Sequence, residues 1–190
     1  MFRTVCVAAL LNSSCALTFC SPAVTAQTRP MSTESQRSFT IRRADSNDGE
    51  AIAACLAAAF EPYCNRYTPE AFTDTVLHSR LVQHRLREMC VFVAVSQRNV
   101  VGTLACAASG KEGHLRGMAV LPDWQGSGVV SALLQAAETE IRNRRCKRVT
   151  LNTTEPLARA MRFYARHGFT RSGRVSDFFG MALHEWVKSL

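Results

Sequence analysis

Residues Leu115 to Gln135, LRGMAVLPDWQGSGVVSALLQ, begin as a strand-like run and end as an amphipathic helix-like one. The join holds Gly126, Ser127 and Gly128 with no charged side chain among them. A helix N-terminus presents unpaired N–H groups and a partial positive charge, and glycines let a ligand approach the backbone, so such a corner can hold a polyanion with main chain alone. Taken alone it is also a common structural turn. The side chains that could accept a proton are His114, Glu155, Asp177 and His184, near strand ends or in adjoining segments, although such residues ordinarily serve the surface. The basic cluster Arg142, Arg144, Arg145, Lys147 and Arg148 starts about 22 Å beyond the corner, at 1.5 Å per helical residue. That is too far to serve it, and its charges suit the helix C-terminus or solvent.

The elements that would position these residues can be read from periodicity. SFTIRRA predicts a strand, and DSNDGEAIAACLAAAF a helix capped by Asp45 or Ser46. Thr68, Pro69 and Glu70 open a second helical pattern that runs through Leu86. CVFVAVSQ and VVGTLACAAS form a hairpin around Arg98 and Asn99, and HLRGMAVL is a further strand. Val130, Leu133, Leu134, Ala137 and Ile141 then fall on one apolar helical stripe. RVTLNT predicts a strand, EPLARAMRFYARHG a helix ended by Gly168, and FTRSGRV and FFGMALHEWV two closing strands. This order predicts an α/β fold: a mixed, mostly antiparallel central sheet with helices on both faces.

Two motifs give the corner its context. Gln125-Gly126-Ser127-Gly128-Val129-Val130, directly after MAVLPDW, resembles the Q/R-x-x-G-x-G/A signature of the GNAT superfamily of N-acetyltransferases, and AMRFYARHGF resembles its fYxxxGF segment. The resemblance covers about residues 39–190 and implies the GNAT-like fold. It also implies acetyl-CoA, or a related acyl-CoA, as co-substrate without a metal, and direct transfer of the acyl group to the amine of a small molecule or protein. Carried over residue by residue, the main chain of Met118, Ala119 and Val120 would align the pantetheine arm, with the Val120 N–H polarising the thioester carbonyl. Gln125, Gly126, Ser127, Gly128, Val129 and Val130 would wrap the pyrophosphate. Asn152 would contact the cofactor or backbone, and Arg159 and Arg162 are placed for the 3′-phosphate. Tyr164 would protonate the departing thiolate; it also continues the apolar stripe Leu157, Ala160, Met161, which fits a purely structural role. Val130 departs from the pattern, standing where the family has Gly or Ala. The apolar stripe predicts that its side chain turns inward.

The 190 residues are 47% hydrophobic and 20% charged, the composition of one globular domain with a real core. The formal charge is +8, of which residues 31–190 carry +6, and no nucleic-acid motif accompanies that surplus. Residues 1–38 read as a separate extension before an acetyltransferase domain of 39–190. The run VCVAALLNSSCALTFC is broken by Asn12, Ser13 and Ser14 and too short to span a bilayer. Small residues Val24, Thr25 and Ala26 suit export, the lack of acids before Glu34 suits an organellar leader, and Met31 is an alternative start. The Met31 reading places the protein in the cytoplasm. Cys55, Cys64, Cys90, Cys106 and Cys146 are odd in number and form no C-x-x-C pair, which predicts reduced thiols. The competing function from another class is a non-catalytic acyl-CoA sensor or interaction module.

Overall fold

The computed structural model describes residues 38–190, so the question of leader or start site lies outside the described residues. The chain runs β1 (Thr40–Arg43), α1 (Gly49–Phe60), α2 (Pro69–Thr75), α3 (Ser79–Glu88), β2 (Cys90–Ser96), β3 (Asn99–Ser109), β4 (Glu112–Val120), α4 (Val129–Asn143), β5 (Arg148–Thr154), α5 (Ala158–Arg166), β6 (Thr170–Phe178) and β7 (Met181–Ser189). The seven strands form one sheet in the order β1-β2-β3-β4-β5-β7-β6. Only β4 and β5 are parallel. The expected mixed, mostly antiparallel α/β sheet is therefore the architecture found.

Local chemistry sets the element ends. Asp45 Oδ1 accepts the Asn47 N–H at 2.7 Å and Asp48 returns a bond to the Asp45 N–H at 2.9 Å, a reciprocal cap that starts the path into α1. The β2–β3 hairpin turns at Gln97 and Arg98, both with positive φ, while Asn99 already pairs with Ser96. The turn thus lies one residue before the expected Arg98-Asn99, at the two positions that a tight turn of primed type requires. The last hairpin turns at Phe179 and Gly180, again both with positive φ, so β7 begins at Met181 rather than at Phe178.

The single second helix predicted across 68–86 is two helices, with Val76, Leu77 and His78 between them. In the last turns of α2, Thr73 and Thr75 donate their hydroxyls to the carbonyls of Pro69 and Ala71 at 2.8 Å each, a back-bonding that weakens a helix. Breaking there lets Leu77 reach the core.

One core joins both faces of the sheet, with Leu56, Phe60, Leu104, Leu115, Leu133 and Ile141 among its fully buried side chains. The whole α4 stripe Val130, Leu133, Leu134, Ala137 and Ile141 is buried. Among the described residues no helix is long and apolar enough to cross a membrane.

Candidate functional site: a wedge between two parallel strands

The parallel pairing of β4 and β5 covers only Glu112↔Arg148, Gly113↔Val149 and His114↔Thr150, although both strands run on, to Val120 and Thr154. Beyond His114 they diverge into a wedge. A bulge in β4 accompanies the split: Thr103 pairs with Ala119 but Ala105 pairs with Arg116, so Leu104 faces both Gly117 and Met118. Gly117 has φ +63, and a Cβ there would overlap Arg85 Nη1. Past the bulge, the Leu121 N–H bonds Val101 O at 2.9 Å. Because backbone groups alternate along an antiparallel pair, Ala119 also turns its N–H and C=O to β3, while Met118 and Val120 turn theirs to the wedge. Of the three residues expected to align a pantetheine arm, Met118 and Val120 thus offer main-chain bonds, and Ala119 does not.

The open end of β4 leads through the 3-10 turn Pro122–Trp124 into the glycine corner. Gly126 has φ +82 and Gly128 φ +88, and nothing lies within 4 Å of a Cβ built at either. These glycines are required by backbone conformation, and the space in front of them is open. Ser127 Oγ donates to Trp124 O at 2.5 Å, which shapes the loop and leaves its hydroxyl turned to the chain itself. α4 starts without a side-chain cap, so its first N–H groups keep their donor capacity. Val129 and Val130 are both buried, Val130 at 7% exposure, and neither side chain crowds the corner. The inward Val130 is what the stripe predicts. Across the mouth, Arg159 Nη1 donates to Gln125 Oε1 at 3.3 Å and Ser131 Oγ lies 3.4 Å from His167 Nε2, tying α5 to the corner. Arg162 is exposed on α5. The more distant Arg142 and Arg144 pair with Glu138 and Glu140 on their own helix, and Arg148 with Glu112, as their distance from the corner implies.

At the closed end of the wedge, on the face opposite α4, lies a cavity of about 190 Å³ whose lining includes Met89, His114, Arg116, Thr150, Asn152 and Glu185. Asn152 is 6% exposed and belongs to this cavity rather than to the glycine corner. His114 Nδ1 is 3.0 Å from Thr150 Oγ1, and that hydroxyl has Gly113 O at 3.2 Å and Glu112 Oε1 at 3.4 Å as acceptors. These contacts hold the imidazole against β5 through Nδ1. Burial first, then the charge of Arg116, push the His114 pKa down to about 4 against the pull of Glu112 and Glu185, so the ring is neutral at pH 7.

The other candidate proton acceptors lie outside this cavity. Asp177 accepts the Gly180 N–H at 3.1 Å and closes the last hairpin. The Glu155 carboxylate is 77% exposed and 3.8 Å from His184 Nε2, and neither residue is part of the cavity wall. Tyr164 is fully buried; its hydroxyl donates to Met118 Sδ at 3.3 Å, which places it beside the β4 edge of the wedge. Its ring is core, as the stripe predicts, and its hydroxyl touches the side chain of a β4 residue.

Glu185, Arg116, Arg85 and Gly117 were not singled out from the sequence. Charged residues in strands and helices read as surface, and only the register puts Glu185 beside Asn152 and the bulge beside Arg85.

Comparison with known proteins agrees with this fold. The profile of the acetyltransferase (GNAT) family matches residues 52–169. N-alpha-acetyltransferase 30 of Schizosaccharomyces pombe is 30% identical over 93 residues, 46% of this chain, and the match spans 62% of that relative's length. PaiA N-acetyltransferase of Thermoplasma acidophilum, solved with coenzyme A, superposes with a TM-score of 0.69 at 15% identity over 80% of this chain and 99% of its own. Ribosomal-protein-alanine N-acetyltransferase of Brucella melitensis gives 0.62 at 22% identity, with the same coverages.

Proposed function

The chain belongs to the GNAT acetyltransferase family, and from that premise we propose that it transfers an acetyl group from acetyl-CoA to an amine held in the cavity between β4 and β5. The observation that carries this reading is the continuity of the unpaired β4 edge with the uncapped, glycine-opened start of α4. An extended arm with a pyrophosphate at its end fits that path: strand-like bonds from Met118 and Val120, then the N–H donors of Gly126, Gly128, Val129 and Val130. Arg159, at the mouth, suits the 3′-phosphate.

Acetyl-CoA supplies a thioester as the electrophile. With the pyrophosphate at α4, the acyl end of the arm lies beyond Val120 toward the closed end of the wedge, so the wedge-facing N–H of Met118, rather than that of Val120, stabilises negative charge on the carbonyl oxygen as the amine attacks. An alkyl ammonium of pKa near 10.4 must lose a proton first. The His114 ring is neutral at pH 7 and Glu185 offers a carboxylate in the same cavity, so either accepts that proton directly or through one water. The Tyr164 hydroxyl gives its proton to the leaving thiolate: its thioether acceptor in Met118 is weak, and a thiolate is a far stronger one.

A cytoplasmic location is part of the proposal, supported by the thiols of Cys55, Cys90, Cys106 and Cys146, all buried and unlinked. Mass spectrometry of the native N-terminus tests it: a start at Met31 or Ser32 supports it and a start near Gln27 refutes it. The activity is tested by free thiol released from acetyl-CoA over a panel of amines, with the acetylated product identified by mass. Acetyl-CoA binding without turnover on any amine would instead assign a sensor.

A further inference from the structure

Two guanidinium groups lie together at the closed end of the wedge. Arg116 lines the cavity, and its Nε is buried with no hydrogen-bond partner. Arg85, from α3, lies against Gly117, the next residue of the strand; it is 6% exposed and its Nη2 is likewise buried without a partner. The acidic group facing them from α2 is Asp74, whose Oδ2 is 3.9 Å from Arg116 Nη2, an ion pair without hydrogen-bond contact. Two cations against one anion leave a surplus of one positive charge. Buried charge is costly unless it is paired and hydrogen-bonded. The neighbours do not remove the surplus. Glu112 is engaged by Arg148, Glu185 is 3.8 Å from Arg174, and His114 is neutral. Burial and mutual repulsion lower the pKa of Arg85, with Asp74 alone opposing them, as expected of an under-compensated pair.

We propose that the acceptor is a small amino acid whose carboxylate seats on Arg116, backed by Arg85, while its amine faces His114 and Glu185. This rests on the acetyl-transfer reading and deepens it. A single negative charge matches the surplus of one positive charge, which a phosphate dianion would overshoot. A planar carboxylate also suits guanidinium donors, and a volume of about 190 Å³ is below the range that takes drug-sized ligands. Fixing the carboxylate on one wall leaves the amine to be oriented by the other, where His114 and Glu185 lie.

The test uses the full chain and matched pairs that differ only in the carboxylate: β-alanine against ethylamine, γ-aminobutyrate against propylamine, phenylalanine against phenethylamine. Thiol release from acetyl-CoA gives kcat and KM for each, and calorimetry of the same compounds without acetyl-CoA gives binding free of chemistry. The expected result is that at least one acid binds and is acetylated with KM at least about 10-fold below that of its partner amine, the order of one charge-assisted hydrogen bond. Arg116→Gln should erase that preference while leaving the KM for acetyl-CoA unchanged. Asp74→Asn, which removes the competing anion, should tighten the acids, a change that a merely structural ion pair would not produce, and it decides the matter if Arg116→Gln does not fold. Acetylation of the bare amines as well as the acids, acid binding unaffected by Arg116→Gln and Asp74→Asn, or no acid bound in calorimetry would each overturn the proposal. Absence of acetyl-CoA binding, by contrast, would overturn the acetyl-transfer reading itself.

Discussion

Replacing Tyr164 by Phe separates packing from chemistry. The ring sits edge-on to Phe163 and Phe169, with centroids 5.4 and 5.5 Å away, and these contacts survive the substitution. What is lost is one buried hydroxyl, with its bond to Met118 Sδ, so stability should fall by about 1 kcal/mol. General acid catalysis is worth about 100- to 10,000-fold. The leaving thiol has a reference pKa near 8.5, so it departs without much help and the low end applies, about 100-fold in kcat, or about 2.7 kcal/mol in barrier. Melting temperature, calorimetry with acetyl-CoA and thiol-release kinetics on one accepted amine together read the three quantities. Undiminished turnover in folded Tyr164→Phe would refute the reasoning and leave the residue as core alone.

Other perturbations follow from the same geometry. Val130→Gly empties a buried site on α4 and should cost about 2 to 3 kcal/mol by chemical denaturation, with acetyl-CoA affinity nearly unchanged. Gly128→Ala should lose about 1 to 2 kcal/mol to its positive φ and also weaken acetyl-CoA, whereas Gly110→Ala, at φ +58 in the β3–β4 turn with equal space, should lose stability alone. The His114 pKa is about 4 folded against about 6.5 unfolded, so the unfolded chain binds the extra proton between those values. Stability should therefore fall as pH drops from 6.5 to 4, and His114→Gln should flatten that part of the curve in urea titrations; an unchanged slope would remove the buried neutral ring.

The stripe on α4, the order of strands and the glycine corner were legible because each is local: a 3.6-residue period, an alternation, two glycines where φ is positive. The break between α2 and α3 was not, since Leu77 continues the apolar pattern and only the packing shows it dropping from the helix axis into the core. The cavity was less legible still. His114 was singled out, but its neutrality depends on Thr150 and Arg116 across and along the strands, and Arg85 meets Gly117 through a bulge that no spacing rule locates. Asp177 and Glu155 drew notice from their places near strand ends, where one closes a turn and the other faces solvent.

Acetyl-CoA bound as proposed lies along the free edge of β4 with its pyrophosphate on the start of α4. Amide hydrogen exchange followed with and without acetyl-CoA tests it at the residues concerned. Added protection is expected in the segment from Met118 to Ser131, centred on the amides of Val120, Gly126, Gly128 and Val129, and none in the β6–β7 hairpin. Binding of acetyl-CoA that leaves those amides exchanging at their free rates would contradict it.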